Sequence, residues 1–101
     1  MAQKHLAFLV MGPHYNPEEH KAIFVTSKRN TILCGVRDFD EACEMVKDLV
    51  QNKDVGAIEL CGAFGPEKCK KLIELTDNQI PIGYVTHFSE QDDLFDAFFG
   101  K

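Results

Sequence analysis

Four side chains in this sequence are of types that do chemistry, and one rim of a β-sheet can gather them: Glu59 and Cys61, two residues apart, together with His14 and His87. Glu59 interrupts an otherwise apolar run, Ala57-Ile58-Glu59-Leu60-Cys61. In a strand buried on both faces, an unpaired carboxylate costs roughly several kcal/mol or takes up a proton, so it must have a purpose or a partner. As a working group it is a general acid or base whose pKa burial has raised, or a ligand-binding carboxylate, with His14 or His87 beside it. As a structural group it is bridged to a base such as Arg37, or exposed at the strand end. Cys61 precedes a glycine turn into a helix, where backbone N–H groups and the dipole favour thiolate. Its alternative is a small core residue, which is also the reading for Cys34, Cys43 and Cys69.

In open α/β sheets ligands bind beyond the carboxyl ends of the parallel strands. Placed there, His14, Glu59, Cys61 and His87 are the candidate catalytic residues, and Gly12, Tyr15, Gly62, Gly65, Tyr84 and Thr86 the candidate ligand-binding ones. The turn Gly62-Ala63-Phe64-Gly65-Pro66 has the glycines of an anion nest, although Pro66 removes one donor and Glu67 already supplies negative charge. His14 and His20 match no zinc spacing, so neither a metal nor a cofactor is expected. Serine-elbow and HExxH patterns and a paired DxD motif are absent from the sequence.

The elements that must position these groups follow from hydrophobic periodicity. Leu6 to Met11 is apolar on both faces and reads as a buried strand that stops at Gly12-Pro13. A loop with two prolines and two histidines leads to Ala22–Thr26 and Thr31–Val36, which Ser27-Lys28-Arg29-Asn30 joins as a hairpin. From Asp38 the period becomes 3.6: Phe39, Ala42, Cys43, Val46, Leu49 and Val50 form one stripe, with Asp38 and Glu41 as a capping-box-like pair. Val55–Cys61 is the next strand, and Pro66 opens a helix striped by Cys69, Leu72 and Ile73. Pro81–His87 is the last strand, and Ser89 caps a closing helix with Leu94, Phe95, Phe98 and Phe99. The order β-β-β-α-β-α-β-α predicts a five-stranded mixed sheet in one α/β domain spanning 1–101, with the last three strands paired in parallel and the helices mainly on one face.

Composition sets the outer bounds. The 101 residues carry 11 Lys+Arg against 16 Asp+Glu, a formal charge of −5, and 45% are hydrophobic. This excludes extended disorder and opposes nucleic acid or an anionic membrane as partner. The apolar segment near the N-terminus is too short for a signal peptide or a membrane span. Cysteine separations of 9, 18 and 8 support neither disulfides nor a zinc ribbon, so reduced thiols in the cytoplasm are expected.

Met11-Gly12-Pro13-His14-Tyr15, Ala57 to Gly65, Pro81-Ile82-Gly83-Tyr84-Val85 and Glu90-Gln91-Asp92-Asp93-Leu94-Phe95 together resemble a family of short bacterial and archaeal proteins known only as a domain of unknown function. The resemblance spans nearly the whole chain and implies a complete domain and a prokaryotic source. It implies no activity.

Two functions are compatible with these residues. One is binding of a small polar or anionic metabolite at the strand carboxyl ends, with acid/base use of Glu59. The other is a non-catalytic homo-oligomer, with a dimer favoured, built on the Leu94–Phe99 ridge and on sheet surface that three helices leave uncovered.

Overall fold

The computed structural model describes residues 4–100; Met1–Gln3 and Lys101 of the expected domain lie outside the described residues. Five strands, β1 (His5–Met11), β2 (Lys21–Val25), β3 (Asn30–Val36), β4 (Val55–Leu60) and β5 (Ile82–Tyr84), form one sheet in the order β2-β3-β1-β4-β5. Three helices, α1 (Phe39–Asn52), α2 (Gly65–Leu75) and α3 (Asp92–Phe99), complete the chain, and a single 3-10 turn at Ser89–Gln91 precedes α3. The predicted hairpin is present, with β2 antiparallel to β3 and Ile23 opposite Ile32.

The predicted pairing of the last three strands needs one correction. β3 and β4 run in the same direction but are not neighbours, because β1 lies between them and pairs in parallel with both. β1 is the most apolar strand, and the central position is the one that covers it on both edges. The crossover through α1 therefore passes over β1, and the crossover through α2 joins the adjacent pair β4 and β5.

Burial alternates along the strands and identifies the covered face. Ala7 and Leu9 on β1, Ile32, Cys34 and Val36 on β3, Ile58 and Leu60 on β4 and Ile82 on β5 are buried with Ala42, Val46 and Leu49 of α1 and Cys69 and Leu72 of α2. Both crossover helices thus cover one face, as right-handed connections running in one direction require. Val55 joins the same core although two residues, Gly56 and Ala57, separate it from Ile58, because the register slips by one residue between His5 and Leu6 and leaves Gly56 as a bulge. A Cβ on Gly56 would stand 2.4 Å from the Cβ of Lys4, so the bulge admits only glycine there without a shift.

Capping follows the sequence with one difference. The Asp38 carboxylate accepts from the Glu41 N–H at 2.9 Å, as a helix N-cap should. The Glu41 carboxylate does not return to Asp38; it accepts from the Arg37 backbone N–H at 2.8 Å and from the Arg37 guanidinium at 3.1 Å. Arg37 is thereby occupied and does not serve Glu59.

The closing helix is where the fold departs furthest from a self-contained core. α3 begins at Asp92, after the 3-10 turn rather than at Ser89, and none of its residues is buried. Leu94, Phe95, Phe98 and Phe99 are 66%, 40%, 81% and 64% exposed. These four therefore do not pack into the domain's own core. The radius of gyration is 14.1 Å, against about 13 Å for a closed domain of this length, and the longest extent is 45 Å, so the C-terminal segment projects as an arm.

Candidate functional site

Glu59 points to the face opposite the helices, since Ile58 and Leu60 on either side of it are buried in the core. Its strand neighbours are Phe8 on β1 and Gly83 on β5. A Cβ added at Gly83 would come within 3.4 Å of Glu59 Oε1, so the missing side chain leaves room beside the carboxylate. Glu59 is exposed. Burial is absent because no helix of the same chain covers this face of the sheet.

Cys61 follows β4 directly and is half-buried against the core. Its Sγ accepts a hydrogen bond from the Met11 N–H at 3.3 Å, which ties the ends of β4 and β1 together. All four cysteines are free. Burial pushes the Cys34, Cys43 and Cys69 thiols up, with a small further push on Cys69 from the Glu59 charge. These three have the core role expected of them.

The loop after β1 returns over the same face. The Tyr15 ring packs directly on Gly35 of β3, where a Cβ would lie 2.8 Å from its Cδ1. Tyr15 N–H donates to the Gly12 carbonyl, and the Gly35 N–H donates to the His20 carbonyl, so both ends of the loop are pinned to the sheet. His14 stacks on Tyr15 with centroids 4.1 Å apart and its ring also closes on Gly12. His20 Nδ1 accepts from the Asn16 N–H at 2.8 Å, which holds the loop's own turn.

Gly12, His14, Tyr15 and Glu59 therefore share the uncovered face and its carboxyl-end rim, with Cys61 at that rim but turned to the core. Gly62 and Gly65 form the turn from β4 into α2, and Gly65 opens the helix with a φ of +69°, a left-handed value that favours glycine. Tyr84 is opposite Leu60 and so belongs to the helix-covered side, at the exposed edge of the sheet. Thr86 and His87 lie beyond β5 at the base of the arm. His87 is engaged there: its Nε2 is 2.8 Å from Asp92 Oδ1 and its ring stacks on Phe95 at 4.1 Å. Among the described residues no hydrogen bond or ion pair joins Glu59 to either histidine, and no cluster of three metal-ligating side chains occurs.

A cavity of about 310 Å³ lies away from this rim, at the amino end of the strands, between the start of β1, the β4 bulge and the hairpin turn that carries Lys28 and Arg29. It is outside the strand carboxyl ends to which the sequence directs attention. Its signal in the sequence is the basic pair inside a turn.

A model of a family of unknown function, DUF6506, matches residues 4–100. The chain belongs to the DUF6506 family. Neither the curated proteins nor the solved structures gave a match. Family membership agrees with the length and single-domain character of the chain and assigns no chemistry to it. Among the described residues of this DUF6506 domain, no helix is long and apolar enough to cross a membrane.

Proposed function

We propose that this DUF6506 domain is a self-associating module in which the C-terminal arm of one copy covers the uncovered sheet face of another. The observation that carries the reading is the match between two surfaces of one chain. The arm exposes Leu94, Phe95, Phe98 and Phe99. The sheet face exposes Phe24 and Leu33 and carries Leu6, Phe8 and Val10, half-buried with no helix over them. Both exceed the scattered apolar residues normal on a monomer surface.

The sheet order supports a partner's sheet, rather than the arm's own, as the surface covered. β5, which leads into the arm, and β2 are at opposite edges of the sheet, four strand spacings or roughly 19 Å apart. A two-fold axis running parallel to β1 between two stacked sheets sets the β5 edge of each copy over the β2 edge of the other, so both arms are used and the assembly closes as a dimer. A whole Phe buries roughly 150–250 Å², and the exposed parts of Phe95, Phe98 and Phe99 amount to just under two such rings per arm. Exchanged in both directions and counted with the sheet area they cover, they pass about 1,000 Å², the size at which a specific interface becomes stable.

Light scattering over a concentration series tests the reading. The parent chain is expected to be a dimer, and Phe95→Asp/Phe98→Asp a folded monomer. A parent that stays monomeric at high concentration overturns it.

A second reading is favoured by the space beside Glu59. A small polar or anionic ligand fits at the carboxyl-end rim, held by Glu59 and Tyr15 and by the backbone at Gly12 and Gly62. Glu59 serves there in acid/base chemistry with Cys61 and a histidine, His14 or His87, nearby. A second copy over this face supplies the exclusion of water that the isolated chain lacks. Thermal shift against a metabolite panel, for the parent and Glu59→Gln, tests it; a panel that never shifts the parent refutes it. Four free thiols suit a reducing compartment, and we read the protein as cytoplasmic and prokaryotic.

A further inference from the structure

The cavity at the amino end of the strands is lined by Lys4, His5, Lys28 and Arg29, with Gly56 and Ala57 forming its floor. Among the described residues no carboxylate lines it. Lys4 is already neutralised, its Nζ 2.8 Å from Asp54 Oδ1. Lys28 and Arg29 form no ion pair among the described residues, so the cavity retains two uncompensated cations.

His5 adds a directed donor. Its Nδ1 accepts a hydrogen bond from the Asn30 backbone N–H at 3.1 Å. A ring nitrogen that accepts carries no proton, so the proton of the neutral ring is on Nε2, which is the remaining donor of a residue lining the cavity. The same Asn30 contact fixes the first residue of β3, and with it the hairpin turn that presents Lys28 and Arg29. The turn is held from inside as well, because Thr26 Oγ1 donates to the Arg29 carbonyl and accepts from the Arg29 N–H at 3.1 Å.

We infer that this cavity is an anion site for the doubly charged oxyanion end of a small molecule, a phosphate or a pair of carboxylates. Its lining carries an ammonium, a guanidinium fork and an imidazole N–H, which is the donor set that such oxygens require. Two free cations match two negative charges, and a cavity of about 310 Å³ holds such a group with part of what it is attached to. The site stands at the end of the strands opposite to Glu59 and is independent of self-association.

The test is an amide-shift titration with inorganic phosphate at ionic strength held constant with sodium chloride, repeated with succinate. Saturable shifts at His5, Asn30, Gly56 and Ala57 are expected. Lys28→Ala/Arg29→Ala should weaken the affinity by about tenfold or more, and both residues are exposed, so the variant folds. Lys68→Ala/Lys71→Ala on α2 removes equal charge and should leave the affinity unchanged. Saturation by phosphate alone assigns a tetrahedral oxyanion, and saturation by both probes assigns the site to either class. Shifts spread over all the lysines, equal losses in the two variants, or no saturation by either probe overturn the site. Light scattering of the Lys28/Arg29 variant keeps this outcome separate from that of dimerisation.

Discussion

His87 Nε2 stands 2.8 Å from Asp92 Oδ1, joining the segment that follows β5 to the first residue of α3. With Phe95 stacked on the same imidazole, this contact sets the direction of the arm, since α3 buries nothing in the core. Asp92→Ala is expected to raise hydrogen exchange across residues 92–99 and to leave the exchange of β1 and β4 unchanged. Exchange rising equally in the central strands would show that the arm is part of the cooperative core.

Two leucines separate core from arm. Leu9, fully buried in the central strand, should cost about 2–5 kcal/mol when changed to alanine, because the cavity left under α1 and α2 cannot close completely. Leu94→Ala should change unfolding of the monomer by no more than about 0.5 kcal/mol. Urea denaturation in dilute solution measures both, and a large effect at Leu94 there would place the arm on its own domain.

Acid and alkali act through different groups. The Arg37 backbone N–H, and then its guanidinium, hold the Glu41 carboxyl below its ordinary 4.5, and Lys4 holds Asp54 below its ordinary 3.8. In both cases the unfolded chain takes up protons first, so the stability they contribute is present above those values and is lost as pH falls through them. Burial pushes the Cys34 thiol above its ordinary 9.0, against a smaller opposing pull from Lys21. There the unfolded thiol ionises first, so stability falls as pH rises above 9.0. Urea midpoints across pH should drop at both ends. Glu41→Gln should flatten the acid limb and Cys34→Val the alkaline one; unchanged limbs would refute these assignments.

Much of this architecture was legible in the residues. The 3.6-residue stripe from Phe39, the cap at Asp38 and the basic turn joining β2 to β3 are local signals, and all three elements formed where local chemistry placed them. The position of β1 was not legible, because sequence order says nothing of which strand occupies the centre when all candidates are apolar. The apolar neighbours of Glu59 leave burial and exposure both open; it is exposed, because alternation puts it on the face that the helices leave bare. The ridge at Leu94–Phe99 marked a helix with an apolar side, but periodicity does not say whether that side meets its own chain. The cavity at His5 and Lys28 depends on a bulge at Gly56 that brings three separate segments together, and no single segment announces it.

The central claim is that the arm of one copy lies on the sheet of another. An isotope-filtered NOE experiment on an equal mixture of carbon-13-labelled and unlabelled protein reads this directly. Cross-peaks are expected between the methyl groups of Leu33 and Val10 in the labelled copy and the rings of Phe95, Phe98 and Phe99 in the unlabelled one. A spectrum in which those rings give contacts only within their own copy, or none to the sheet face, would contradict it.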